Sequence, residues 1–173
     1  YDCSEDGQTI TVAVGQPIQL AIDVIPPSGT IEVGSGVFPT SATLDPVGKE
    51  LTVRGAVDAE GNPLTVIDCG NNHRGIICSN GETAFTVFEN LVIENGNASG
   101  ARGGGMYNHA SSPTVINGRF INNSAEEGGG MYSIQSDVTV TGCKFEGNDA
   151  TWGGGMYNSR VGSPTITDCD FIS

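Results

Sequence analysis

Regularly spaced aromatic side chains are the residues of this chain best suited to contact a ligand or a partner. Tyrosines recur at Tyr107, Tyr132 and Tyr157, and Trp152 stands shortly before the last of them. Aromatic faces stack on sugar rings or on apolar partner surfaces, but tyrosines at a fixed interval also stack on one another and stiffen a fold. Both interpretations stay open, and these four residues are the candidate ligand or partner contacts.

Carboxylates that could cleave a polysaccharide are harder to find. Such cleavage needs two carboxylates flanking a cleft, or an acidic metal site beside a basic group that takes a proton. The nearest acidic pair is Asp168 and Asp170, which strand alternation places on one outer face, opposite Lys144 and Arg119. That arrangement is typical of a cross-strand charge ladder. The sequence therefore predicts no catalytic residue.

No pattern predicts a metal or another cofactor. Ca²⁺ takes about six to eight oxygen ligands, and acidic residues such as Glu126, Glu127 and Asp149 do not recur at one position of a repeat. A calcium-binding loop motif is also absent from the sequence, so calcium stays an alternative without a motif to support it. His73 and Arg74 follow two asparagines and are typical of an exposed turn.

The five cysteines show neither a CxxC pair nor the spacing of a zinc site. Cys69 and Cys78 bracket one turn and one strand, which makes them the favoured disulfide pair. Cys143 and Cys169 fall at the same point of adjacent repeats, where they form either a bridge or two packed thiols. Cys3 is then left over.

Acidic residues outnumber basic ones by 20 to 7, giving a formal charge of −13. Such a surface repels phosphate backbones and anionic headgroups, which excludes nucleic acid as a partner. No apolar run approaches the roughly 18 residues of a membrane helix. Two sequons, at Asn97 and Asn122, permit N-glycosylation. These features favour a secreted or cell-surface protein whose partners are other protein subunits or cell-surface glycans.

A 25-residue repeat is the strongest signal in the sequence. A Gly-Gly-Gly-Met-Tyr string occurs at 103–107, 128–132 and 153–157, and a Thr-Val or Thr-Ile pair followed by a phenylalanine recurs between the copies. The last interval is 26 because an extra residue enters near Val161. Short strand-like runs between Gly and Asn clusters at this period are typical of a parallel β-helix, in which equivalent residues stack about 4.8 Å apart.

Stacking at this period predicts interior rows and turn positions. The tyrosines should point outward, because side chains alternate along a strand. Asn123 and Asn148 are predicted to adopt the left-handed turn conformation. The predicted interior rows are Val115/Val140/Ile166, Phe120/Phe145/Phe171 and Met106/Met131/Met156.

We therefore predict a single all-β domain over 1–173, a right-handed parallel β-helix with one short N-terminal capping helix. Residues 1–29 form the cap, 30–100 form irregular coils, and 101–173 carry the repeats with an incomplete last coil. The helix is predicted over about 17–25, because Ile18, Ala21, Ile22 and Ile25 have helical spacing. Because the last coil stops before its glycine triplet, we expect that the chain continues or that another protein covers this end.

Two family patterns resemble this chain. The segments 18–23, 30–33, 51–55 and 65–68 are similar to the opening of pectin-lyase-like right-handed β-helices. The Gly-Gly-Met triplets and the Phe-x-x-Asn strings at 120–123 and 145–148 resemble polymorphic outer-membrane-protein repeats. These resemblances imply the fold, which hosts lyases, hydrolases, adhesins and structural stalks. The acidic and Gly-His-Gly strings of the enzymes are absent from the sequence.

The sequence thus favours an extracellular, non-catalytic β-helix that acts as a structural or adhesive surface protein, or as a subunit of a larger surface assembly. The alternative is a relative of polysaccharide lyases or hydrolases, or a carbohydrate-binding module. A third hypothesis, an ice-binding surface, depends on the threonine column Thr114, Thr139 and Thr165.

Overall fold

A computed structural model, which describes residues 1–160 and 162–172, shows a parallel β-solenoid of about five turns with one short helix, α1 (Ile18–Val24). The fold class predicted from the repeat is confirmed. The strands in chain order are β1 (Asp2–Cys3), β2 (Thr9–Val12), β3 (Thr30–Val33), β4 (Gly36–Pro39), β5 (Thr52–Gly55), β6 (Thr65–Asp68), β7 (Ile76–Cys78), β8 (Val87–Glu89), β9 (Leu91–Glu94), β10 (Asn97–Arg102), β11 (Met106–His109), β12 (Thr114–Ile116), β13 (Arg119–Ile121), β14 (Ser124–Glu127), β15 (Met131–Ile134), β16 (Thr139–Thr141), β17 (Lys144–Glu146), β18 (Asp149–Trp152), β19 (Met156–Ser159), β20 (Thr165–Thr167) and β21 (Asp170–Ile172).

These strands form four sheets that run along the solenoid. An eight-stranded sheet has the order β1-β2-β3-β5-β8-β12-β16-β20, and a six-stranded sheet has the order β4-β6-β9-β13-β17-β21. A four-stranded sheet joins β7, β11, β15 and β19, and a three-stranded sheet joins β10, β14 and β18. Every pair of named strands is parallel except β1 with β2. Val161, where the sequence places an extra residue, lies outside the described residues.

The register of the repeat strands confirms the predicted columns. Val115 pairs with Val140, Met106 with Met131, and Phe120 with Phe145. The rings of Phe120 and Phe145 are stacked with centroids 4.8 Å apart, and Phe145 stacks equally on Phe171. All but the last member of each row are buried, whereas Phe171 in the final coil is 53% exposed.

Helix α1 packs against β2 and β3 at the N-terminal end of the solenoid. Its apolar residues Ile18, Ala21 and Ile22 are buried, as their spacing predicts, and Pro17 precedes it in an extended conformation. Strand β2 was not predicted from the sequence; it pairs with β3 and extends the eight-stranded sheet. Residues 1–29 therefore contribute two strands, β1 and β2, as well as the helix.

The corners of the repeats correct one prediction. The first glycine of each triplet is left-handed, with φ of 65° at Gly103. The asparagines in the left-handed region are not Asn123 and Asn148: the left-handed residues are the preceding ones, Asn122 (φ 53°) and Gly147 (φ 61°). Asn123 is fully buried and lies inside the solenoid.

The predicted disulfide between Cys69 and Cys78 is wrong, because all five cysteines are free. Cys69 directly follows β6 of the six-stranded sheet, whereas Cys78 ends β7 of the four-stranded sheet, so the two lie on different walls. Burial raises the pKa of Cys69 to about 11 and that of Cys143 to about 12. Cys143 and Cys169 pack as free thiols, with the Cys143 N–H donating to the Cys169 sulfur at 3.4 Å.

Candidate binding site

The three repeat tyrosines form a continuous stack on the outer side of the four-stranded sheet. Tyr107 and Tyr132 have ring centroids 5.7 Å apart at an interplanar angle of 6°, and Tyr157 continues the stack at the same separation. The Arg74 guanidinium lies 4.8 Å from the centroid of the Tyr107 ring, and that of Arg102 lies 5.2 Å from the Tyr132 ring. Each guanidinium adds a cation–π contact to the stack.

These contacts leave little of the tyrosine stack for a ligand. Tyr132 is only 1% exposed, because Tyr107, Tyr157 and Arg102 surround its ring. Tyr107 has Tyr132 on one side and Arg74, from the preceding coil, as a second ring contact. The tyrosines therefore stack on one another and stabilise the outer side of the sheet. Tyr132 is too buried to contact a partner.

Trp152, unlike Tyr132, is exposed enough to contact a ligand or a partner. Its side chain is 52% exposed at the end of β18. The strand register places it in one column with Arg102 and Glu127, as the repeat predicts. Arg102 and Glu127 form an ion pair of 2.8 Å between their coils. Within the part of the chain that the structure describes, Trp152 has no aromatic or cationic stacking partner.

An irregular stretch of β10, called the β10 bulge here, lies between two shallow depressions near the tyrosine stack. The pairing of β10 with β14 shifts register between Ala98 and Arg102, where residues 99–101 of β10 lie opposite the single residue Glu126 of β14 and are exposed. Bulges of this kind occur often beside functional sites, where they redirect side chains. A shallow depression lies on each side of the bulge. The first, of about 370 Å³, is lined mainly by Thr43, Asn72, Arg74, Asn97, Ser99 and Ala101. The second, of about 430 Å³, is lined by Arg74, Gly100, Ala101, Arg102, Tyr107 and Glu126.

Arg74 is held rigidly where the two depressions meet. Its Nε donates to the carbonyl oxygen of Gly103 at 2.8 Å, and its Nη2 donates to that of Arg102. Burial lowers the pKa of Arg74, although a guanidinium stays charged at any physiological pH. The neighbouring asparagines predicted an exposed turn for Arg74, but its guanidinium lies over Tyr107 through a contact between coils that the local sequence does not reveal.

The first depression also contains polar groups that the protein itself leaves available. Among the described residues, the side chains of Thr43 and Asn72 form no hydrogen bond. The sequon residue Asn97 is committed, since its Nδ2 donates to Asn71 O and its Oδ1 accepts from Ser99. The second sequon residue, Asn122, is exposed at a corner.

The predicted charge ladder around Asp170 is only partly present. Asp170 is in register with Lys144 and Arg119, but the Lys144 ammonium pairs with Glu146 on its own strand at 2.8 Å. Asp168 adopts φ 52° outside β21, so strand alternation does not apply to it. The expectation that both aspartates share one face is therefore wrong for Asp168.

Asp68 and Glu94 form a carboxylate pair that the sequence analysis missed. The two residues are in register on β6 and β9 of the six-stranded sheet. Hydrogen bonds from the Asn95 side chain and the Gly70 N–H lower the pKa of Asp68. Burial, followed by repulsion from Asp68, raises the pKa of Glu94. The coils before residue 101 lack the regular repeat, so the sequence does not indicate that Asp68 and Glu94 lie in register.

This pair yields a pH-dependent prediction. Because the pKa of Glu94 is raised on folding, its ionised form destabilises the folded state, and stability falls as pH rises through the folded pKa. Glu94→Gln should therefore raise Tm at neutral pH, and the gain should vanish near about pH 3, where the carboxyl is protonated in both states. Thermal unfolding followed by circular dichroism measures both values.

Glu146→Gln provides the matched control in the same column. The hydrogen bond and charge of Lys144 lower the pKa of Glu146, so its ionised form stabilises the fold and this substitution should lower Tm slightly at neutral pH. A rise in Tm for both variants would show that relief of net charge, rather than the contact with Asp68, causes the effect.

The threonine column is longer than the sequence indicated but does not form a uniform array. Its members on the eight-stranded sheet are Thr9, Thr30, Thr52, Val87, Thr114, Thr139 and Thr165. In the neighbouring outward column, Arg54 forms ion pairs with Glu32 and Glu89 at 2.8 and 2.9 Å. These charges interrupt the hydroxyl surface that an ice-binding face requires.

Within residues 1–160 and 162–172, no group of three His, Cys, Asp or Glu side chains is placed to hold a metal ion. No helix in the same residues has the length and apolar character to cross a membrane. Comparison with protein-family models, with curated proteins and with solved structures found no match to this chain. The two family resemblances therefore depend on their motifs alone, whereas the parallel β-solenoid is shown by the structure.

Proposed function

We propose that this protein is a non-catalytic, adhesive β-helix, secreted or on the cell surface, that binds glycans in the two depressions beside the β10 bulge. The observation that carries the proposal is the pair of depressions around the fixed guanidinium of Arg74. Small-ligand sites typically combine a concave surface with a few oriented polar groups. Amides, hydroxyls and a guanidinium are suited to the hydroxyl groups of sugars.

The solenoid supports this proposal by holding the polar groups on rigid elements. Thr43 belongs to one coil, and Asn72 and Arg74 belong to the next, so one ligand contacts two turns at once. Stacked coils move little relative to each other because backbone hydrogen bonds join them along the sheets. A surface that is already ordered loses little conformational entropy on binding, which favours adhesion to a repetitive glycan.

The test uses a variant that changes the first depression without touching the core. Thr43→Val with Asn72→Ala removes two polar groups that have no partner in the described chain, and should weaken glycan binding at least about tenfold with unchanged Tm. Binding to an array of neutral and charged glycans, followed by titration calorimetry on the positives, measures the effect.

Phe85→Ser is the control, because Phe85 is 72% exposed and lines a separate depression with Ser28, Glu50 and Thr52. It should leave binding unchanged. Loss of binding in the Phe85 variant alone would place adhesion on that other face and overturn the proposal, as would the absence of binding to every glycan.

A further inference from the structure

The two depressions share lining residues, and this indicates how long the ligand is. Arg74 and Ala101 line both of them. With volumes of about 370 and 430 Å³, each lies at the small end of the range of roughly 300–1,000 Å³ for ligand sites. Of the five N–H donors on the Arg74 guanidinium, two bind the carbonyls of Gly103 and Arg102. Three donors are left at the junction of the depressions.

The charges around the second depression indicate which glycans it accepts. Arg102 is already paired with Glu127 at 2.8 Å, and Glu126 lines the depression beside Arg74. The two guanidiniums and two carboxylates sum to zero, within a protein of formal charge −13. The summed field of the protein repels polyanions, and the second depression has no excess of positive charge to offset that repulsion.

From these observations we propose that the ligand is an uncharged oligosaccharide of at least two rings, one in each depression, with Arg74 donating hydrogen bonds to both. This proposal depends on the glycan-binding function proposed above. It adds that a single sugar binds weakly because it fills one depression, and that a chain of uronic acids is rejected because Glu126 and the net charge oppose its carboxylates.

The experiment is calorimetric titration of the wild-type protein with gluco-, manno-, galacto- and xylo-oligosaccharides of one to four rings, and with oligogalacturonates of the same lengths. Affinity for the preferred neutral series should rise at least about tenfold from one ring to two and then level off, because each of the two depressions takes one ring. The oligogalacturonates should bind at least about tenfold more weakly at low salt, with a smaller difference at high salt.

Two charge variants separate the local effect from the global one. Glu126→Gln should narrow the difference between neutral and acidic ligands several-fold, whereas Glu60→Gln, which removes the same charge from an exposed position outside both depressions, should not. Equal affinity for one and two rings, or uronate binding as tight as neutral binding, would overturn this inference while leaving glycan binding intact. Failure of every sugar to bind would overturn the proposed function and this inference with it.

Discussion

Replacing Phe145 by alanine should lower the free energy of unfolding by about 3–5 kcal/mol, the usual cost of emptying a buried phenylalanine site. Phe145 is 1% exposed, and its ring lies between those of Phe120 and Phe171, with 4.8 Å between centroids on each side. The backbone hydrogen bonds between coils fix the spacing of these strands, so the walls cannot close on the cavity. Urea unfolding followed by circular dichroism measures the loss.

Two other phenylalanines calibrate this result. Phe85→Ala should change stability by less than about 0.5 kcal/mol, because that side chain is exposed in a turn. Phe171→Ala should fall between the two, because its ring stacks on only one neighbour in the file, Phe145, and is 53% exposed. Equal decreases in the free energy of unfolding for Phe145→Ala and Phe85→Ala would contradict the view that the interior row of stacked phenylalanines stabilises the solenoid.

The sequence predicted the interior columns because stacking converts distance along the chain into contact in space. Residues one coil apart meet the same neighbours, so Val115 and Val140, or Met106 and Met131, occupy the same environment. Because each environment accepts only certain residue types, those types recur every 25 residues in the sequence. Helix α1 was predictable for a related reason, since burial of one face imposes a local apolar spacing.

The candidate site was less predictable because it is made by contacts between non-equivalent positions. Arg74 covers Tyr107 from a coil that carries no copy of the repeat, and the shift in β10 that shapes the depressions has no counterpart in the sequence pattern. Similarly, the Asn117 side chain donates to Gly61 O, which brings a distant loop onto the solenoid. Such contacts depend on the folded geometry, and no local propensity indicates them.

The paired asparagines show how a correct pattern led to a wrong assignment. An asparagine recurs three residues after Phe120 and Phe145, but the left-handed turn conformation belongs to the residue before that asparagine. The left-handed corner is filled by Asn95, Asn122 and Gly147 in successive coils, so that position accepts either residue type. The strictly recurring position, at Asn123 and Asn148, is recurrent because its side chain forms hydrogen bonds inside the solenoid.

Asn123→Leu should therefore lower the free energy of unfolding by about 3 kcal/mol, because it leaves buried backbone groups without partners. The Asn123 Oδ1 accepts from the Gly96 N–H at 2.8 Å, and its Nδ2 donates to Ile93 O and to the Oδ1 of Asn148, each at 3.0 Å. Leucine has a similar volume but offers neither donor nor acceptor. Urea unfolding gives the stability, and hydrogen exchange should show the Gly96 amide losing protection.

Asn122→Gly, at the adjacent residue, is the matched comparison and should change stability by less than about 1 kcal/mol. Asn122 is exposed with φ 53°, a conformation that glycine adopts readily, and the next coil already has Gly147 at this position. The contrast between neighbouring residues of one type separates turn chemistry from interior hydrogen bonding. If Asn122→Gly proved the more damaging substitution, the corner rather than the buried amide would explain why asparagine recurs, and the interior assignment would fail.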